Sequence, residues 1–240
     1  MMKTKESKLT PLLKKELLIY MKSPSNYVVM VIFLLIGGYI FADGLFVANV
    51  ASMRSFFTLS DVLFLFFIPA VTMRSFSEEF RNGTIEMIAT HPVSRWNMIL
   101  SKYFSTYILV LATLIPTLIY FFIVASLGKI DPGTVAAGYF GIILLAGGYL
   151  AAGVFASSLT QNQVAAFIIA LFILFIFFVL DKVTALTSGN LAYVLQYASS
   201  DFHLSNFYRG IIDLRDIIYF CSVAVLFLAL TEKWLELKFK

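Results

Sequence analysis

The chain has 240 residues, 60% of them hydrophobic and only 13% charged, and its mean hydropathy is +0.89. A soluble domain carries roughly 25% charged residues and about 45–50% apolar ones, so the composition excludes a single water-soluble globule and points to an integral membrane protein. The net charge of +4 comes from lysines crowded near the N-terminus, a topology signal rather than a nucleic-acid footprint, and the single Cys221 excludes an intrachain disulfide or a thiolate metal cluster.

Residues 1–8 are polar and lysine-rich, without the adjoining apolar region and small-residue cleavage site of a signal peptide. From 8 to 22 the pattern turns amphipathic. Leu9, Leu12, Leu13, Leu17 and Tyr20 share a helical face that Lys8, Lys14, Lys15 and Lys22 avoid, as in an elbow helix lying in the headgroup plane of a lipid bilayer. Ser23-Pro24-Ser25-Asn26 breaks it. The first expected span is 27–47, with Gly37-Gly38 for close packing and Asp43 near its far end.

The second span covers 59–76, kinked at Pro69 and carrying Asp61 near its outer end. Asp61 has two readings, a lining residue of a polar substrate path together with Pro69, or a hydrated carboxylate near the interface. Then comes the longest polar interruption of the first half of the chain, 74–102, with its centre at 78–94. Glu78 to Arg81 is expected to form the last turn of the preceding helix, stopped by Asn82-Gly83, which both tolerate left-handed backbone. Thr84 then caps a short helix with Glu86 in its first turn and Ile85, Ile88 and Ala89 on one face, ended by His91-Pro92. A stiff amphipathic helix between two spans suits docking to a partner. An ordered polar loop without a partner fits the same pattern.

The remaining expected spans are 103–127, with Pro116 inside it, 134–159, rich in glycine and alanine, 164–180, and 211–231. Between the last two, 181–210 reads as an outer interfacial region that includes His203 and alternates aromatic residues with charge. The fold expected is therefore all-α: a polytopic membrane protein with six transmembrane helices, an N-terminal elbow helix and a cytoplasmic coupling helix between the second and third spans.

Orientation follows from the basic residues. An N-terminus in the cytoplasm collects Lys3, Lys5, Lys8, Lys14, Lys15, Lys22, Arg74, Arg81, Arg95, Lys102, Lys233, Lys238 and Lys240 on that side. It leaves Arg54, Lys129, Lys182, Arg209 and Arg215 outside. Both termini and the 78–94 stretch are then cytoplasmic.

The sequence offers little chemistry. No GxxxxGK[ST] loop exists, and the Gly128-Lys129 pair has Ile123 where the first glycine belongs. His91 and His203 fall on opposite faces of the expected membrane. Glu78-Glu79 is similar to the paired glutamates of intramembrane prenyl-protein proteases, but Arg81 comes two residues too early, and Ser157-Ser158 has no histidine within reach.

One run carries a resemblance. IPAVTMRSFSEEFRNGTIEMIATHPVSRWNMILSKY, from Ile68 to Tyr103, resembles the segment joining the second and third spans of ABC-2-type ABC transporter permeases. The shared pattern is Pro69, then Met73-Arg74-Ser75-Phe76, Glu78-Glu79, Gly83-Thr84, Glu86, Pro92-Val93-Ser94, Trp96 and Lys102. HLSNFYRGIIDLRDIIYF, from His203, is similar to the gliding-motility permease (GldF) branch, and Lys15-Glu16-Leu17 fits the family's elbow. The resemblance implies no enzyme and no cofactor on this chain, with ATP and Mg²⁺ held by two copies of a partner ATPase. It also implies a second permease copy or relative, a partner supplying any exoplasmic domain, a bacterial inner-membrane location and no nucleic-acid partner. Glu78, Glu79, Arg81 and Glu86 would make salt links to the ATPase, Ile85 and Ile88 the apolar knob, and Gly83, Thr84 and Pro92 the helix limits. The rival expectation is an ATP-independent secondary transporter or membrane scaffold, for which internal inverted repeats and intramembrane charged pairs are the signature.

Overall fold

The computed structural model describes residues 9–47, 52–84, 94–128, 130–184 and 189–238. Among these residues the chain is all helical, without a strand. Six segments are long and apolar enough to cross a membrane: Pro24–Val47, Arg54–Arg81, Arg95–Leu127, Pro132–Leu159, Gln163–Thr184 and Leu214–Lys238. The molecule is a polytopic membrane protein.

Local chemistry sets most helix limits. The elbow helix α1 (Leu9–Lys22) ends at Ser23, whose extended backbone (φ −83°, ψ 113°) lets Pro24 open α2 (Pro24–Ala42). Proline costs nothing at that position, because the first N–H groups of a helix have no intrahelical partner. One π-helical turn, Asp43–Val47, completes the first span. In the third span Pro116 separates α5 (Arg95–Leu114) from α6 (Leu118–Leu127). The joint tightens into i→i+3 bonds, from Thr117 N–H to the Leu114 carbonyl (3.1 Å) and from Tyr120 N–H to that of Thr117 (3.0 Å). Polar residues 95–102 belong to α5, so this span begins earlier than the apolar run. Asp131 caps α7 (Pro132–Leu159) by accepting from the Gly133 and Thr134 N–H groups at 3.0 and 3.3 Å.

The helix α3 (Arg54–Thr72) does not run on through Phe76 as the sequence suggested. Pro69 withholds one N–H, and residues 73–76 form a turn before a separate short helix, α4 (Ser77–Arg81). Thr72 and Ser77 return their hydroxyls to the Ile68 and Met73 carbonyls, and Phe76 is fully buried at the corner. After α8 (Gln163–Thr184) the expected interfacial region holds two short helices, α9 (Asn190–Ala198) and α10 (Ser200–Tyr208). At Gly210 (φ +82°) the chain closes a Schellman turn, Ile211 N–H to the Asn206 carbonyl and Gly210 N–H to that of Phe207, both 3.0 Å. The last span, α11 (Leu214–Lys238), therefore starts after Ile211, with the Asp213 side chain accepting from Arg215 N–H at 2.9 Å.

The core sits between α3 and α7. Of their apolar stretches 61% and 78% is buried, against 17–33% in the other four spans. Glycine makes that approach feasible. A Cβ on Gly138 would lie 2.3 Å from the Phe57 ring, and one on Gly153 would lie 2.3 Å from the Thr72 hydroxyl. Phe57 also stacks on Tyr208, whose hydroxyl donates to the Phe57 carbonyl at 2.7 Å. Cys221 is exposed on α11.

Candidate functional site

Elbow helix, α4, the start of α5 and the end of α11 converge at one end of the bundle. Lys102 is the centre of that junction. It is 2% exposed, and its ammonium lies 2.8 Å from Glu79 Oε1 and 3.4 Å from Glu16 Oε2. A buried ammonium is costly without partners, and here two carboxylates from two other segments enclose it. The Phe76 ring lies 5.2 Å away on another side. The sequence counted Lys102 only among the basic residues of the cytoplasmic side; the fold buries it.

Further bonds fasten the same junction. Tyr20 Oη and Ser75 Oγ are 2.7 Å apart, and burial holds the Tyr20 phenol above its ordinary pKa, so it stays neutral. Asn26 donates to the Tyr20 carbonyl at 2.9 Å. Arg74 Nη1 donates to Ser25 Oγ at 2.8 Å and Ser23 Oγ at 3.3 Å. Phe80 is buried on the inner face of α4, and the Lys238 ammonium stands 3.5 Å over its ring.

The expected docking residues separate into distinct environments. Glu79 is spent on Lys102. Glu78 is half-buried and lines a cavity of about 670 Å³ between α1 and α4. Arg81, Asn82, Gly83 and Thr84 are exposed. Gly83 has the left-handed φ of +67° that the Asn-Gly pair suggested, and the Thr84 hydroxyl donates to the Glu79 carbonyl at 3.4 Å. Ile85, Glu86, Ile88 and Pro92 lie outside the described residues.

Asp61 is enclosed by protein instead of lying at the surface. It is 1% exposed, because α7 and α10 close over α3 at that level. Tyr149 donates to its Oδ1 at 3.0 Å and shares a 2.7 Å bond with the Ser200 hydroxyl, while Oδ2 has no partner. Pro69 is buried two turns further along the same helix and accepts from Met73 N–H at 2.9 Å. The two residues thus share α3, and both are buried in this conformation.

Sequence reasoning missed a second buried cluster. His203 Nδ1 lies 2.6 Å from Asp216 Oδ1 and Nε2 lies 3.0 Å from the Tyr197 carbonyl, so acceptors flank the ring on both sides. Asn206 donates to Asp216 Oδ2 at 2.9 Å, and Tyr219 stacks on the imidazole with centroids 4.0 Å apart. The available signal was the His203–Asn206 spacing of three, which places both side chains on one helical face, with an acid just beyond the next turn.

A family model described as "ABC-2 family transporter protein" matches residues 44–231. The match takes in Asp61, Pro69, α4, Lys102 and the His203 cluster, and leaves out the elbow helix. No curated protein matches the chain.

Proposed function

The chain belongs to the ABC-2 transporter family, and from that premise we propose that it is the permease subunit of an ATP-driven exporter, coupled to ATP hydrolysis by a separate subunit. Two ATPase copies hold ATP and Mg²⁺ beneath a pair of permeases, this chain and a second copy or close relative. The membrane is the bacterial inner membrane, with both termini in the cytoplasm. Any exoplasmic domain comes from another partner. The similarity of the run beginning at His203 to the gliding-motility (GldF) branch supports kinship with that branch, which is not a statement of motility.

The ion cluster around Lys102 carries this reading. A lever must be stiff where it joins the moving parts. Glu79 ties α4 to α5 through Lys102, Glu16 ties the elbow to the same ammonium, and the turn at 73–76 joins α4 to α3. A push on residues 81–92 is therefore delivered to three elements together. Arg81, Gly83, Thr84, Ile85, Glu86, Ile88 and Pro92 form the gripping surface, with Ile85 and Ile88 supplying most of the affinity, since exposed ion pairs contribute only about 0–1 kcal/mol each. Glu79 anchors the lever. Motion passes along α3 beyond Pro69 to the Asp61–Tyr149–Ser200 contact.

The test is co-purification with the ATPase encoded nearest to it. Ile85→Asp with Ile88→Asp abolishes capture while the permease stays folded in the membrane. Capture at the wild-type level by that double variant overturns the proposal, as does labelling of a Thr84→Cys variant from outside the cell.

A further inference from the structure

The cavity between α1 and α4, about 670 Å³, falls within the roughly 300–1,000 Å³ usual for small-ligand sites. Its wall carries charges of both signs. Lys102, Glu16 and Glu79 are committed to one another. Arg74, Lys15 and Glu78 are not. None of the three forms an ion pair among the described residues, although all line the same cavity. The bonds of Arg74 Nη1 go to neutral serine hydroxyls, and its Nε is buried without a partner.

Opposite charges that share a cavity without meeting leave room for a ligand that meets both. A plain anion would satisfy Arg74 and Lys15 against the repulsion of Glu78 and Glu79. A plain cation would face the reverse. A zwitterion answers both sets. The source of that zwitterion follows from the apolar side of the wall. Ile19 lines the cavity while 52% exposed, and it also lines the adjoining groove on the elbow with Pro11 and Leu18, the latter 46% exposed. The cavity thus opens onto apolar elbow surface of the kind that acyl chains cover.

We propose that this cavity binds the headgroup of an aminophospholipid, its phosphate on Arg74 and Lys15 and its ammonium on Glu78. The bound lipid fills the gap between elbow and lever base. Nothing in this assignment depends on ATPase coupling, and its test uses the permease alone.

The full-length chain, stripped of lipid in detergent, is titrated with 16:0/18:1 phosphatidylethanolamine, phosphatidylglycerol or phosphatidylcholine and followed by native mass spectrometry. One phosphatidylethanolamine binds more tightly than either of the others. Arg74→Gln and Glu78→Gln each weaken it about tenfold, the loss expected for one charge-assisted hydrogen bond. Arg209→Gln, remote from the cavity, leaves binding unchanged. Should Arg74→Gln misfold, Glu78→Gln decides alone, because neutralising a half-buried unpaired carboxylate spares the fold. Phosphatidylglycerol binding as tightly as phosphatidylethanolamine overturns the proposal, and so does unaltered binding in Glu78→Gln. Equal affinity for soluble glycerophosphoethanolamine overturns the lipid source and assigns the site to a water-soluble zwitterion.

Discussion

The molecule buries a charge cluster near each end, and the two are built differently. Where the elbow helix, α4 and α5 meet, one cation faces two carboxylates, and its partners come from 86 and 23 residues away in sequence. Around His203 the acid and its donors lie within 13 residues, and both Asp216 oxygens and both ring nitrogens are occupied. The first cluster joins three segments but leaves Glu79 Oε2 without a partner among the described residues. The second closes one local turn with nothing to spare. One junction between distant segments is held by a single shared ion, whereas a local cap is held by a saturated network.

The largest effect expected is from Lys102→Met. A buried and a partly buried carboxylate lose their cation, which costs about 3–5 kcal/mol, and protease sensitivity of the elbow should rise together with loss of thermal stability in membranes. Asp216→Asn comes next. It removes the charge that holds His203 and Asn206, with about 2–3 kcal/mol lost and faster amide exchange confined to 199–216. If both variants open the same residues, the contrast between a distributed and a local cluster fails. Within the first cluster, Glu79→Gln should cost more than Glu16→Gln, in line with 2.8 Å against 3.4 Å, and a double-mutant cycle with Lys102 measures each coupling. The smallest effect concerns Asp131. Hydrogen bonds from Thr134 and Gly133 lower its pKa, so the cap is intact above the usual carboxylate range and is lost as pH falls through the lowered value. Faster exchange of the Gly133 and Thr134 amides on acidification, without global unfolding, is the readout.

What the sequence disclosed was whatever short-range chemistry decides. Pro24 and the Asn82-Gly83 pair marked breaks that the backbone then made, because the restriction on φ travels with the residue, whereas the joint at Pro116 lay inside an expected continuous span. Six apolar runs disclosed the class. Composition also announced the close packing of α7 through its glycines, though not which ring would press on which glycine. The inward turn of Lys102, the enclosure of Asp61 and the pairing of His203 with Asp216 were hidden, since each depends on a neighbour brought in by tertiary folding. Lys102 was the most misleading, because a lysine beside an apolar run normally marks an interface.

The glycine contacts along α7 have a mechanical corollary. Phe57 sits where Gly138 lacks a side chain, Phe207 sits against Gly141, and Thr72 sits against Gly153. Rings and methyls lodged in such notches act as detents. Sliding the second span along the fourth from this register would bring Phe57 and Thr72 against helix positions that carry a Cβ, which opposes movement by small increments. Any stroke between these two rods has to be a hop from one set of notches to another, which would give a transport cycle discrete positions instead of a continuum.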